Sequence, residues 1–390
     1  MTAEDDEKIE GQTMHAHDHA SLTTSPRPAS TRHRHRHRPG DLNTWTWRRK
    51  QNLSYPSTHT PKKMKEEVSF SSSNASAVEG QTEDQTLARL SGDLYLPSST
   101  TRQVPVIIVV AGSGPIDRDG NAKSMSFNTS NRFAEHVMRF LEPNVAPDSA
   151  GVYELVADVV GAVQFVSSHS RIDRKRVVIL GHSEGAIILP EICKAVAESG
   201  LDPIFGAIFL AGFGEDLSGA MKLQRENILR EVKEKTGLTG FLMRRFVTKD
   251  RLEKQYKDMM AKVNSDDRPD VISMYLGLVK QPARWFRDHQ EYEARMSLAN
   301  NIRCHVLAVT GKKDVQVRSF CQQEVAATLI PSAKSIEAHE LENLTHVLRS
   351  MEGEPKIFSI KKDYVKMGKS PLDKDLLKII DDWCDRVLQS

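Results

Sequence analysis

Residues 177–185 read Val-Val-Ile-Leu-Gly-His-Ser-Glu-Gly, a short apolar run followed by a Gly-x-Ser-x-Gly motif. Four aliphatic residues in a row are typical of a strand that is buried on both faces. The Gly-x-Ser-x-Gly that follows has small residues around Ser183, which permits the tight turn that lifts a serine hydroxyl out of a sheet. Residues 186–189 then begin a helix. The stretch predicts a strand, a sharp turn and a helix, with Ser183 as a candidate nucleophile.

Strands and helices alternate along the chain from residue 66 onward. The hydrophobic periods predict strands at 66–71, 87–96, 104–110, 176–180, 205–210, 304–310 and 335–340. They predict helices at 130–141, 152–166, 186–198 and 374–387. A long, charged and helical segment, Glu215 to about Asn300, lies between two of the strands. This pattern predicts an α/β fold, an open and mostly parallel sheet with a helical lid insertion at about 215–300.

The first 65 residues differ in composition from the rest of the 390-residue chain. They hold few apolar side chains, so we expect a disordered low-complexity tail at 1–65 and one folded domain at 66–390. Histidines at 15, 17 and 19 and at 33, 35 and 37 leave metal or polyanion binding by this tail as an alternative. The net charge of the chain is only +2, which gives no reason to expect nucleic acid as a partner.

Cysteine spacing and hydropathy indicate in which cellular compartment the protein is expected. The four cysteines, at 193, 304, 321 and 384, are too scattered for a disulfide framework or a zinc site. No apolar run approaches the roughly 18 residues that span a bilayer, and residues 1–7 lack the apolar core of a secretory signal. These patterns predict a cytoplasmic protein without a membrane span.

A serine hydroxyl is a weak nucleophile and needs a base within hydrogen-bonding distance. Where a serine occupies a strand-to-helix turn of this type, the chain order is serine, acid, histidine. Four histidines lie well after Ser183. His289 belongs to the insertion, while His305 and His339 fall on predicted strands. His346 lies in a loop after the last predicted strand, and we therefore expect it to be the base.

The acid and the oxyanion donors follow from the same arrangement. Asp314 comes just after the predicted strand at 304–310, at the end of a strand where ligands gather, and is the expected acid. One oxyanion donor is expected to be the backbone N–H of Glu184. The other is expected from the turn at Gly112 and Ser113, which follows the predicted strand at 104–110.

Several of these motifs resemble those of a known family. Residues 112–121, Gly-Ser-Gly-Pro-Ile-Asp-Arg-Asp-Gly-Asn, resemble the glycine-rich block of the α/β-hydrolases described as serine-aminopeptidase-like or acyl-esterase-like. The resemblance continues through 181–185, 285–287, 311–317 and 344–348. It implies hydrolysis of carboxylic esters, more than of peptides, on a small-molecule acyl substrate. It also implies no metal and no organic cofactor.

One segment departs from that family, in which a strand and a turn separate the first two helices. Residues 141–151 contain two prolines and hardly any apolar side chain, so they cannot form a buried central strand. We therefore expect one central strand, beside 104–110, to be missing between residues 141 and 152. This leaves an alternative function, in which the chain is a catalytically impaired isoform that acts as a binding or regulatory protein.

The predicted lid contains large apolar residues, for which there are two alternative roles. They either line a substrate pocket or pack the lid helices against one another. The residues concerned are Phe241, Leu242, Met259, Met260, Tyr275 and Trp285.

Overall fold

The computed structural model describes residues 63–73, 89–98, 102–114, 119–121, 129–130, 133, 151–274 and 279–388. The proposed tail therefore lies almost wholly outside the described residues, and its boundary at residue 65 stays a prediction. Of the helix predicted at 130–141, only residues 130 and 133 are described, and both are helical.

Nine strands and eleven helices are described here. The strands are β1 (Lys63–Ser71), β2 (Arg89–Pro97), β3 (Val104–Val110), β4 (Ile172–His182), β5 (Gly206–Leu210), β6 (Val271–Met274), β7 (Val279–Pro282), β8 (His305–Gly311) and β9 (Ser335–Leu341). The helices are α1 (Val152–Ser168), α2 (Glu184–Ile187), α3 (Leu189–Glu198), α4 (Leu217–Glu234), α5 (Gly237–Phe246), α6 (Lys249–Val263), α7 (Ala283–Glu291), α8 (Ala294–Asn301), α9 (Gln323–Leu329), α10 (Ile360–Met367) and α11 (Lys374–Leu388). Within the described ranges, no helix is long and apolar enough to cross a membrane.

A five-stranded sheet forms the centre of the fold, in the order β3-β4-β5-β8-β9, and all its strands are parallel. β1 and β2 form a separate antiparallel pair, as their alternating pattern predicts. The α/β fold class is confirmed. Among the described strands, none pairs with the outer edge of β3. Residues 141–150 lie outside the described residues, so the absence of a further central strand stays a prediction.

Both faces of the sheet are covered because β3, β4, β5 and β8 each contain a buried apolar run with side chains on both faces. In β3, Val106 and Ile108 face the layer that contains α1 and α3, whereas Ile107 and Val109 face the layer that contains α11. The same alternation runs through β4, β5 and β8. The two apolar layers hold the sheet rigid, and its loops are therefore presented from a fixed base.

The lid differs from the all-helical insertion that the sequence predicts. Besides α4, α5, α6, α7 and α8, it contains the antiparallel pair β6–β7. Met259, Met260 and Trp285 pack in a lid cluster with buried Phe286, which favours the packing alternative for Met259 and Trp285. Met260 serves both uses, since it also lines a cavity in the lid. Phe241 and Leu242 are 62% and 46% exposed and belong to none of the apolar clusters of the described residues. Tyr275 lies outside the described residues.

Candidate active site

The loops that carry the expected site residues meet at one edge of the sheet. Gly112 follows β3, Ser183 follows β4, Asp314 follows β8 and His346 follows β9. Parallel strands place their carboxyl ends at the same edge, where open α/β sheets bind their ligands. The sheet order thus brings together residues that are up to 234 positions apart in sequence.

The turn at Ser183 is a strained strand-to-helix connection. Ser183 has φ 54° and ψ −118°, which are unfavourable for a residue with a side chain. A Cβ built on Gly181 would lie 2.3 Å from the carbonyl oxygen of Gly185, and one on Gly185 would lie 2.5 Å from that of Val110. Only glycine fits at either position. The Ser183 N–H donates to the carbonyl of Leu210 at 2.9 Å, which fixes the turn against β5.

Ser183, His346 and Asp314 form a continuous hydrogen-bonded chain. The Oγ of Ser183 lies 3.0 Å from Nε2 of His346, and Nδ1 of His346 lies 2.7 Å from Oδ2 of Asp314. A carboxylate only accepts, so Nδ1 carries the proton and Nε2 is left to accept from the serine hydroxyl. The second Asp314 oxygen accepts from the N–H groups of Gln316 and Val317 at 2.8 and 3.1 Å. The Asp314 carboxylate is fully buried and held on both oxygens.

His182 holds the loop that carries His346, and the sequence analysis did not identify this role. Its Nε2 lies 2.8 Å from the His346 carbonyl oxygen, so the ring nitrogen donates this bond. Burial, with the His346 ring 5.3 Å away, lowers the pKa of His182 to about 4. A neutral ring therefore makes the contact. The same loop is closed by the Thr345 N–H, which donates to the Arg349 carbonyl at 3.0 Å, and by Leu348 at φ 62°.

The two expected sources of oxyanion donors lie on either side of the serine. A Cβ built on Gly112 would lie 2.9 Å from the Cβ of Ser183, so the turn after β3 packs directly against the serine. Ser113 is exposed beside it. Glu184 begins α2, and the first N–H groups of a helix have no acceptor within that helix. Gly112 is thus packed against Ser183 in space, and Glu184 is its neighbour in sequence.

The buried Glu184 carboxylate binds two residues of the lid. The Trp285 indole N–H donates to its Oε1, and His289 Nε2 lies 2.8 Å from the same oxygen. The side chains of His289 and Glu184 are only 2% and 8% exposed. Trp285 and His289 are four residues apart and so share one face of α7. In the sequence, the contacts among these three side chains are indicated only by the four-residue spacing of Trp285 and His289 and by the position of Glu184 directly after Ser183.

α7 is a fixed part of the structure, held at both sides. The Asp288 carboxylate accepts from the Val152 N–H at 3.0 Å, at the start of α1. The Arg287 guanidinium donates to the carbonyl oxygens of Val263 and Pro269 at 2.9 and 2.8 Å. α7 therefore joins the serine turn, the helical layer of the core and the rest of the lid.

A cavity of about 410 Å³ lies in the lid between α4, α6, α7 and the start of α8. Its lining includes Met221, Tyr256, Phe286 and His289. His289, which lines this cavity, also binds Glu184, the residue next to Ser183, although Glu184 and Ser183 do not themselves line it. The described part of the lid thus contains space for an apolar group near the candidate site.

Parts of this chain resemble known proteins. The family model BD-FAE matches residues 92–189, from β2 to the Ser183 turn and the start of α3. Among solved structures, the chain is similar to Est1E from Butyrivibrio proteoclasticus, with 13% identity, a TM-score of 0.44, and coverage of 78% of this chain and 96% of that one. It is also similar to the Pyrococcus furiosus esterase Pf2001, with 9% identity, a TM-score of 0.41, and coverage of 83% and 93%.

A curated relative is similar over most of both chains. Esterase EstD of Thermotoga maritima is 24% identical over 319 residues, which are 78% of this chain and 67% of that esterase. The central parallel sheet gives the chain an α/β fold, and its sequence is similar to that of this esterase.

Proposed function

We propose that this protein is a serine hydrolase that cleaves carboxylic esters through an acyl-enzyme. Ser183 is the nucleophile, His346 the general base and Asp314 the acid that orients the base. The observation that carries the proposal is the hydrogen-bonded chain from Ser183 Oγ through His346 to Asp314, with distances of 3.0 and 2.7 Å. A nucleophile, a base and an orienting group in this geometry support acyl transfer.

The reaction follows from the positions of the protons. His346 Nε2 takes the Ser183 proton while Oγ attacks the carbonyl carbon, and the carbonyl π electrons move to its oxygen. The tetrahedral intermediate then collapses, its bond to the alcohol oxygen breaks, and His346 gives the proton to the departing alcohol. Water attacks the acyl-enzyme with the same base, which releases the carboxylic acid and regenerates Ser183.

The negative oxygen of each intermediate needs preorganised donors. We assign these to the N–H groups of Glu184 and of the Gly112–Ser113 turn, which lie on either side of Ser183. Loss of one such donor typically costs about 3 kcal/mol of transition-state stabilisation. The backbone N–H of Glu184 is held in position, because Trp285 and His289 bind the side chain of the same residue.

An ester substrate is favoured by the similarity to an esterase, EstD. The cavity in the lid is lined in part by Met221, Met260 and Phe286, apolar side chains that suit a small acyl group. The implied substrate is a small-molecule ester, and none of the proposed steps requires a cofactor.

The test is hydrolysis of a p-nitrophenyl ester by matched variants of the full chain. We expect Ser183→Ala and His346→Gln each to lower kcat/KM by about a thousandfold or more. His339→Gln is the matched control, since His339 is also a late histidine beside a carboxylate, Glu337, at 2.7 Å. We expect this control to keep activity within about twofold.

Two results would count against the proposal. Equal losses of kcat/KM in His346→Gln and His339→Gln would contradict the assignment of His346 as the general base. A wild-type protein that unfolds cooperatively but turns over no ester of any chain length would support the non-catalytic alternative instead.

A further inference from the structure

The lid helix α5 exposes an unusual amount of apolar side chain to solvent. Ten large apolar residues are strongly exposed in the described part of the chain, and four of them lie on this one helix. Leu238 is 74% exposed, Phe241 62%, Leu242 46% and Phe246 62%. Scattered apolar residues are normal at a surface, but a contiguous group marks a site of interaction.

These four residues share one face of the helix. Their spacing of three, four and eight positions from Leu238 places them on one side of an α-helix. The other side packs against α4, with Gly240 buried there. A Cβ at Gly240 would lie 2.1 Å from the carbonyl of Lys235, so this glycine permits the close approach. α5 therefore meets the rest of the lid at Gly240, its one buried residue, and presents the four apolar side chains, with Arg245 among them, on the opposite side.

The charge around this face is basic. The sequence of α5 contains Arg244 and Arg245 and no acidic residue. Lys249, Asp250 and Arg251 follow within five residues of its end, which leaves an excess of one positive charge there, and the Arg251 guanidinium lies 5.9 Å from the Phe246 ring centroid. Long basic side chains beside an apolar face extend their charges outward while their stems cover apolar surface. This combination is typical of helices that lie in the headgroup region of a bilayer.

We propose that the outer face of α5 binds an anionic lipid surface. The phenylalanine and leucine side chains would enter the boundary between headgroups and acyl chains, while the arginines contact lipid phosphates. This inference goes beyond ester hydrolysis and does not depend on it. It describes peripheral attachment, in which the helix lies on the membrane and does not cross it.

The charge pattern favours lipid over the other possible occupants. In a twofold dimer built on this face, Arg244 and Arg245 of one copy would approach the same residues of the other, and like charges repel. The N-terminal segment at 32–50 is rich in arginine and histidine, so it offers no complementary charge. The acidic stretch at 4–10 offers that charge but has only one apolar residue, Ile9, to cover the face. Anionic headgroups supply both the charge and an apolar layer.

Sedimentation with sucrose-loaded vesicles tests the proposal on the full chain. We expect binding to phosphatidylcholine vesicles that contain about 30% phosphatidylserine, weaker binding to pure phosphatidylcholine, and release at about 0.5 M NaCl. The double variant Phe241→Ser/Phe246→Ser should bind at least about tenfold more weakly. Arg244→Glu/Arg245→Glu should lose the preference for the anionic vesicles.

Val325→Ser is the matched control, because Val325 is 40% exposed on α9, outside the lid. It should bind like the wild type. The thermal unfolding midpoint of every variant is measured alongside, because these exposed positions should tolerate substitution.

Three outcomes would overturn the proposal. The first is a wild-type protein that binds neither kind of vesicle. The second is binding that the Phe241→Ser/Phe246→Ser variant retains, since that would place the contact elsewhere on the chain. The third is a concentration-dependent dimer that this variant abolishes without any vesicle binding, since the face would then join two copies.

Discussion

Replacing Asp158 by asparagine should change how the stability of this protein depends on pH. Asp158 lies on α1, is only 3% exposed, and its Oδ2 has no hydrogen-bond partner among the described residues. Burial raises the pKa of this carboxyl from 3.8 to about 6, although a hydrogen bond with the Ser72 side chain opposes the rise. Near neutral pH the folded protein thus holds a buried charge that lacks a full set of partners.

The size of the effect follows from linkage between the pKa and the free energy of unfolding. Below about pH 4 the carboxyl is protonated in both the folded and the unfolded chain, and it costs nothing. As the pH rises from about 4 to 6, the unfolded chain releases its proton first, so stability falls. Above pH 6 the loss is complete, at about 3 kcal/mol for a shift of about two pKa units.

Asparagine cannot ionise, so Asp158→Asn removes this pH-dependent loss. The amide brings its own desolvation cost, but that cost is the same at every pH. Urea unfolding of both proteins at pH 4 and pH 7.5 gives the difference in free energy of unfolding at each pH. Relative to the wild type, the variant should gain about 2–3 kcal/mol between pH 4 and pH 7.5. A difference that stays constant across that range would refute the reasoning.

Three further substitutions test the surroundings of the candidate site. Gly112→Ala should lower kcat by about 100-fold with an unchanged circular dichroism spectrum, because the new methyl group displaces the serine turn; activity within twofold of wild type would contradict this. His182→Phe keeps an aromatic ring but removes the donor to the His346 carbonyl, so kcat/KM should fall by about tenfold, whereas His182→Gln should lose less because its amide can donate. His289→Ala leaves the buried Glu184 carboxylate with one lid donor fewer, so urea unfolding should report a loss of about 3–5 kcal/mol; a loss below about 1 kcal/mol would mean that the pair contributes little.

The central sheet could be predicted because its strands are marked locally. Short runs of β-branched and aliphatic residues mark β3, β4, β5 and β8. Runs of this length are typical of buried strands, because helices usually need a longer segment. β6 and β7 escaped prediction, because each has only four residues within a charged and otherwise helical segment. Their pairing depends on the antiparallel contact, which no local pattern reveals.

The sequence predicts those residues of the candidate site that come directly after a strand. Ser183, Asp314 and His346 each lie at the end of a strand, and the parallel sheet brings such ends together. The Glu184 contacts span 101 residues to Trp285 and 105 to His289, and they depend on where the lid helix lies. A buried carboxylate is stable only with partners, and the sequence does not say which residues supply them.

The most direct test of the central claim is labelling by a fluorophosphonate, followed by peptide mass spectrometry. If Ser183 is the activated nucleophile, one equivalent of probe should bind the peptide that contains Ser183, and prior incubation with an ester should slow the reaction. Ser183→Ala should not be labelled, and His346→Gln should be labelled far more slowly. Labelling at another residue, or equal labelling of wild type and Ser183→Ala, would contradict the assignment of Ser183 as the nucleophile.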